Sequence, residues 1–247
     1  MRPFPALPAG VLLSIGVSTG CAVARPDWNV ALDHTSRYVA RGVVLFDGPA
    51  WQPSVTATAD TGEGTWSGGA WGTIDGNDDG ANRGNFTEVD FYVEHERVVG
   101  PLKTTFGLLR YVYPHTGFPA SGEVHLAAGY ENEIATPTLH LWYDYDEGDG
   151  SYVDLELARS FDLDERWSLA LSASSGWMSS GQGAYYFGVD ASGFSDFTTT
   201  AALSFAPAET FGLALTLGWA SVLDDDLRQG VADGDNGWVM LGASLDF

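Results

Sequence analysis

Carboxylates recur at alternate positions in several stretches of the sequence. Glu88, Asp90 and Glu94 are separated by even numbers of residues, and Asp154 and Glu156 repeat this spacing. Because successive side chains of a β-strand point to opposite faces, each group lies on one face of its strand. Clustered carboxylates favour cations, so the pattern predicts an acidic wall past which cationic solutes could move. The alternative is a filled interior in which these carboxylates pair with Arg, Lys, Tyr and Ser side chains.

Two histidines share these polar faces, His125 beside Glu123 and His140 near Asp144. A histidine between a carboxylate and a serine is the arrangement that hydrolyses esters. The sequence has no G-x-S-x-G motif to supply the serine, so a lipid hydrolase is the weaker hypothesis. No recognisable metal-ligand spacing is present either, and no metal or cofactor is expected.

The elements that must position these groups are strands. In the stretch 237–247, Val239, Leu241, Ala243, Leu245 and Phe247 form one apolar face. An apolar face with period two must lie against something apolar. Similar alternation, in segments of roughly ten residues as in membrane barrels, predicts twelve strands: 28–35, 51–60, 65–75, 86–98, 102–113, 122–132, 138–147, 152–161, 167–173, 197–205, 211–219 and 237–247.

The connections between these segments alternate in length. The short ones are 61–64, 99–101, 133–137, 162–165 and 206–210, and the long ones include 43–50, 76–85, 114–121, 177–195 and 223–235. Outer-membrane β-barrels have short periplasmic turns and longer external loops. Counting 184–191 as a thirteenth strand would break this alternation, so we assign it to a long external loop. The prediction is an all-β, antiparallel, up-and-down transmembrane barrel of about twelve strands.

A soluble β-sandwich also alternates and is the alternative fold. The aromatic residues favour the barrel because they cluster near strand ends, as membrane-interface girdles do. The residues in question are Trp28, Trp51, Trp66, Tyr130, Trp142, Trp167, Trp219 and Trp238.

The composition excludes several classes of function. The formal net charge of −22 argues against nucleic-acid binding, which needs a basic surface. It also argues against a polybasic protein that binds the membrane surface. No run of about 18 apolar residues occurs, which excludes a transmembrane helix.

The first residues predict export. Arg2 precedes an apolar region over 7–17, and Ala22-Val23-Ala24 fits a cleavage site. We expect a signal peptide over 1–24 and a barrel over 25–247, located in the bacterial outer membrane and surrounded by its lipid. Cys21 allows an alternative, because Thr19-Gly20-Cys21 ends like a lipoprotein signal, although Ser18 stands where leucine is usual.

One stretch, Ser36-Arg37-Tyr38-Val39-Ala40-Arg41-Gly42, resembles the S-x-Y-x-x-R-G motif of the Gcw_chp proteins, also called TorF-family porins, of proteobacteria. Further similar elements are Asp47-Gly48-Pro49-Ala50, Glu88–Tyr92, Tyr111–Pro114, and Glu123-Val124 with Gly129-Tyr130. The resemblance implies an exported barrel, described in that family as a porin, and carries over no catalytic residue. Arg37 departs from the aspartate often found there, which is expected to alter an internal ion pair with Arg41.

Taken together, these patterns predict a narrow channel with an acidic lumen for small, cationic solutes. The alternatives are a non-conducting structural or adhesive barrel and, less favoured, the lipid hydrolase. Phe247, the last residue of the apolar face of 237–247, is expected to be recognised by the barrel-assembly machinery. The predicted lumen-lining residues are Arg37, Arg41, Glu88, Asp90, Glu94, Glu123, His125, His140, Asp144, Asp154 and Glu156.

Overall fold

The computed structural model describes residues 25–77 and 80–247, so the signal-peptide prediction over 1–24 lies outside the described residues. Strands dominate the described chain, with two short helices. The strands are β1 (Asp27–Thr35), β2 (Tyr38–Ala40), β3 (Val43–Phe46), β4 (Ala50–Asp60), β5 (Thr65–Asp75), β6 (Phe86–Val99), β7 (Leu102–Val112), β8 (Ser121–Tyr130), β9 (Thr136–Asp144), β10 (Gly150–Asp162), β11 (Trp167–Met178), β12 (Gly193–Ala208), β13 (Phe211–Val222) and β14 (Asp235–Asp246). The helices are α1 (Ser180–Phe187) and α2 (Asp225–Arg228).

Twelve of these strands, β1 and β4 to β14, form one closed antiparallel barrel. The last strand closes it: Leu245 pairs with Phe211 of β13 on one side and with Val30 of β1 on the other. Closure leaves no unpaired strand edge within this twelve-stranded sheet. The predicted fold and strand number are confirmed. The stretch 184–191 contributes to α1 and is not a thirteenth barrel strand.

The outer surface of the barrel is apolar. Leu155, Leu217 and Leu241 are 50%, 52% and 58% exposed, and their strand neighbours on the other face point inwards. A soluble sandwich would bury such a face, whereas a membrane barrel turns it to lipid. The sandwich alternative is therefore wrong, and the chain is a barrel of the bacterial outer membrane.

No helix in the described ranges is long and apolar enough to cross a membrane.

Two tryptophans assigned from sequence to the interface girdles lie instead on the inner face. The Trp142 ring stacks on the His125 ring inside the barrel, with centroids 3.6 Å apart. Trp238 fills the space beside Gly218, where an added Cβ would lie 2.1 Å from the indole. Both residues occupy the same alternate positions as the inward-facing polar residues of their strands. The assignment of these two tryptophans to the interface girdles is therefore wrong.

The protein's packed core lies inside one end of the barrel, not between layers. Loop length identifies this as the external end. The β2–β3 hairpin, α1 and α2 all belong to external loops, and they contribute Val43, Tyr186 and Leu227, each 0% exposed. They pack on wall residues such as Tyr111 and Met178. We call these inward-folded loop elements (β2–β3, α1 and α2) the plug.

Local signals set the ends of α1. Ser179, in extended conformation, precedes the helix, and Gly188 ends it with φ 69°. The Gly188 amide donates to the carbonyl of Ala184 at 3.1 Å, which closes the last turn. A left-handed residue at this position strongly favours glycine. The chain thus turns back after about two helical turns and keeps Tyr186 and Phe187 on the buried side.

Candidate functional site

The tip of the β2–β3 hairpin carries Arg41 and Gly42 into the barrel. Both residues have left-handed backbone conformations, with φ 48° and 79°. A Cβ added to Gly42 would lie 2.7 Å from the Cβ of Asp196 on the wall strand β12. Glycine is therefore required where the hairpin meets the wall. Non-glycine residues rarely adopt positive φ, and such strain often marks a functional position.

The Arg41 guanidinium binds the wall through Glu123. Nη1 and Nη2 of Arg41 lie 3.3 and 3.2 Å from Oε1 and Oε2 of Glu123, a two-pronged ion pair. Nη1 also donates to Oε1 of Gln182 in α1 at 2.8 Å. The Arg41 and Glu123 side chains are 5% and 0% exposed. The arginine thus joins the hairpin, the helix and the wall in one buried network.

Aromatic rings surround the same guanidinium. Its central carbon lies 4.3 Å from the ring centre of Tyr152, 5.3 Å from that of Tyr186 and 5.6 Å from that of Trp142. Such cation–π contacts stabilise a buried charge. Burial alone would lower the pKa of Arg41, but the neighbouring Glu123 outweighs it and raises that pKa above its usual value. Arg41 therefore remains charged.

Two further buried carboxylates of the wall are fully engaged. Asp144 accepts hydrogen bonds from the Ser121 hydroxyl, at 2.9 and 2.8 Å, and from the Asp146 amide. Asp196 accepts from the hydroxyls of Ser195 and Tyr152, at 2.7 and 3.1 Å. Hydrogen bonds of this kind allow a carboxylate to stay buried. These hydrogen bonds indicate that the two acids have a structural role in the barrel wall.

A histidine cluster lies beneath the plug. His125 Nδ1 lies 3.1 Å from Oε1 of Glu94, and His125 Nε2 lies 3.2 Å from Nδ1 of His140. The Trp142 ring packs flat against His125 at an interplanar angle of 7°. Both ring nitrogens of His125 are thus occupied by Glu94 and His140. The histidine is not positioned to activate a serine, as a hydrolase would require.

Three further predicted lumen residues occupy two levels. Asp154 and Glu156 share the inner face of β10 and are partly exposed within the lumen. Arg37 lies outside the barrel strands at the external mouth, where it pairs with Asp47 at 2.8 Å and donates to Asn236 at 3.1 Å. Arg37 is therefore separated from the Arg41 site and binds a different carboxylate.

Sequence reasoning missed the residues that the plug supplies. Gln182 and Tyr186 lie on α1, within a segment assigned only to a long loop, yet both are 0% exposed. Tyr152 was placed on a strand without a role. Gly188 after the apolar Tyr-Tyr-Phe run is the one signal that could have indicated a helix end here. Among the described residues, no three His, Cys, Asp or Glu side chains are grouped so as to hold a metal ion.

No family model matches the chain, and no curated protein matches it in sequence. Solved structures do resemble it. An outer-membrane channel from Pseudomonas putida F1 has a TM-score of 0.57 at 11% identity, over 94% of this chain and 100% of that one. The NanC porin has a TM-score of 0.54 at 10% identity, over 87% and 98% of the two chains. The KdgM porin has a TM-score of 0.52 at 8% identity, over 89% and 99%. At these identities the likeness establishes the outer-membrane barrel fold.

Proposed function

We propose that the chain is a narrow outer-membrane channel for small cationic solutes, with the plug as its constriction. The observation that carries this proposal is the charge of the lumen. Glu94, Asp154 and Glu156 face the space beneath the plug, and the one arginine that projects there from the hairpin is paired with Glu123. A cation entering from the periplasmic side thus passes the Lys103–Glu96 ion pair and then meets these carboxylates.

The low-dielectric wall strengthens this preference. Among the buried side chains of the described ranges, Arg41 is the sole arginine or lysine, whereas buried carboxylates include Glu88, Asp90, Glu123, Asp144 and Asp196. Fixed charge of one sign inside an apolar wall focuses its field into the aqueous path. The same arrangement repels anions and sets the expected ion preference.

The constriction is built from loop elements. The hairpin holds Arg41 in the external half of the barrel, where the Arg41 side chain contacts Glu123 of the wall and Gln182 and Tyr186 of α1. In contrast, the barrel strands are joined by continuous backbone ladders. Loops have few such bonds and move more readily than the wall. We therefore assign the size limit of the channel to the plug and the charge preference to the strands.

The short motifs around Arg41 support placing the chain with the Gcw_chp porins as part of this proposal. The Arg41-Gly42 pair of the S-x-Y-x-x-R-G motif makes specific contacts here: Gly42 fits against Asp196, and Arg41 binds Glu123. The proposal assigns no catalytic step to the chain, since His125 is held by Glu94 and His140.

Conductance of the folded barrel in planar bilayers tests the proposal. We expect discrete current steps and, in a salt gradient, a reversal potential of the sign for cation preference. The double substitution Asp154→Asn with Glu156→Gln should move that potential towards zero, because it removes two lumen carboxylates. The matched control is Glu209→Gln on an exposed turn, which should leave it unchanged. A protein without current steps at any salt or voltage would instead be the non-conducting barrel.

A further inference from the structure

The external end of β6 carries two carboxylates whose burial the contacts described above do not explain. Glu88 and Asp90 are two residues apart on the inner face of β6 and are 2% and 1% exposed. None of their four oxygens accepts a hydrogen bond from a donor group of the described residues. Two other buried acids, Asp144 and Asp196, accept several hydrogen bonds each. Two adjacent buried acids without a donor need a positive charge or protons to balance them.

Two hydroxyl groups next to this pair are unengaged as well. Thr73 lies directly opposite Glu88 on the adjacent strand β5, is 1% exposed, and its Oγ1 has no hydrogen-bond partner. The Tyr38 hydroxyl of the plug hairpin, on a residue 6% exposed, also has none. Burial raises the pKa of Tyr38, and the nearby charges of Glu88 and Asp90 raise it further. The phenol is thus a neutral oxygen donor close to both acids.

These groups share a cavity that leads towards the external surface. Its volume is about 280 Å³, and Tyr38, Thr73 and Glu88 all line it. Asn82 and His115, from two external loops, line the outer part. Asp90 lies two residues beyond Glu88, on the lumen side. Thr73, Tyr38 and Glu88 therefore line one space that is large enough for a small ion with its water molecules.

We propose that Glu88, Asp90, Thr73 and Tyr38 form a binding site for a divalent cation between the barrel wall and the plug. Every donor is an oxygen, which selects a hard cation such as Ca²⁺ or Mg²⁺. Two carboxylates match a charge of +2. With only two acids, hydroxyl groups and water complete the coordination, which is usual for these ions.

The position of the site implies what the ion does. Thr73, Glu88 and Asp90 belong to the wall strands β5 and β6, whereas Tyr38 belongs to the plug hairpin three residues before Arg41. A cation bound to both parts fastens the hairpin to the wall at a second point, apart from the Arg41–Glu123 ion pair. The site does not depend on whether the barrel conducts.

Calorimetric titration of the folded barrel in detergent, after treatment with EDTA, tests the site with CaCl₂ and MgCl₂ as probes. We expect one saturable site for at least one of these ions. Asp90→Asn and Glu88→Gln should each weaken it about tenfold or more, since even indirect partners of a metal are worth that much. Thr73→Val and Tyr38→Phe, which keep the charge and the shape, should weaken it less.

The controls separate loss of the site from loss of the fold. Asp162→Asn, on an exposed end of β10, should bind as the unmodified protein does. Heat-modifiable gel mobility verifies that each variant forms a barrel, and Thr73→Val provides a test even where an acid variant fails to fold. Absence of saturable binding to the unmodified barrel would overturn the proposal and assign the two acids to a protonated pair. Unchanged affinity in folded Glu88→Gln and Asp90→Asn barrels would overturn it too.

Discussion

Arg41 and Glu123 form a buried ion pair that joins the plug to the barrel wall. They are 82 residues apart in sequence, and Nη2 of Arg41 lies 3.2 Å from Oε2 of Glu123. The pair connects the β2–β3 hairpin to β8, and Gln182 extends the contact to α1. Removing one partner of a buried ion pair costs up to about 3 to 5 kcal/mol, because the other charge is left uncompensated. The position of the plug is therefore sensitive to either residue.

Glu123→Gln should loosen the plug. The substitution keeps the shape of the side chain but leaves Arg41 as a buried charge without its carboxylate, so the hairpin should spend more time away from the wall. We expect faster protease cleavage within the external loop 36–49 and larger or more frequent current steps in planar bilayers. Cleavage reports on the loop independently of conductance.

The matched control removes both charges. A double variant, Arg41→Met with Glu123→Met, replaces the ion pair by apolar side chains, which is often nearly neutral for a buried pair. It should restore slow cleavage of the loop. Equal cleavage of Glu123→Gln and the unmodified barrel would show that other contacts hold the hairpin.

Gly42→Ala should destabilise the barrel more than Gly62→Ala. Both glycines have positive φ, 79° and 77°, so both substitutions carry a backbone strain of roughly 1 to 2 kcal/mol. An added Cβ at Gly42 would also lie 2.7 Å from the Cβ of Asp196, whereas at Gly62 nothing lies within 4 Å. Urea-induced unfolding in detergent measures the difference. Equal losses would mean that the hairpin shifts freely away from β12.

The barrel could be predicted from the sequence, but the plug could not. Alternation with period two arises wherever one face meets lipid, and it located each barrel strand, including β14, to within a few residues. In the plug both faces are buried: Tyr38, Val39 and Ala40 are all 9% exposed or less. Alternation disappears there, so the hairpin carried no strand signal.

The same reasoning explains which site residues could be predicted. The alternation of side chains along the strand placed Glu123 and His125 on the inner face, because this alternation is a local property of a strand. The partner of Glu123 comes from a loop 82 residues away, and no local pattern records such a contact. For Trp142, side-chain alternation was a better guide than nearness to a strand end. This residue lies near the end of its strand, yet it faces the lumen beside its polar neighbours.

Phe247→Ala should slow assembly into the outer membrane. The backbone of Phe247 pairs with Trp28, through hydrogen bonds of 2.9 and 3.2 Å, while its side chain is 73% exposed at the periplasmic rim. We propose that the barrel-assembly machinery binds this ring before β1 pairs with β14. The fraction of protein that reaches the heat-modifiable form in cells measures assembly.

The control is Phe161→Ala, another exposed phenylalanine near that rim. Equal assembly of both variants would argue against a special role for Phe247.

Leu241→Arg should destabilise the barrel in lipid far more than Thr216→Arg. Leu241 lies midway along β14 on the lipid-facing side and is 58% exposed. An arginine at the bilayer midplane costs roughly 2 to 4 kcal/mol in such barrels. Thr216, paired with Met240 on the adjacent strand, faces the lumen, where water and the carboxylates of the wall can accommodate the charge. Urea unfolding of both variants in phospholipid vesicles measures the difference.

In detergent micelles, which deform around a charge, the two losses should be closer. Equal losses in vesicles would contradict the assignment of the two faces, because only the outer one is expected to exclude water.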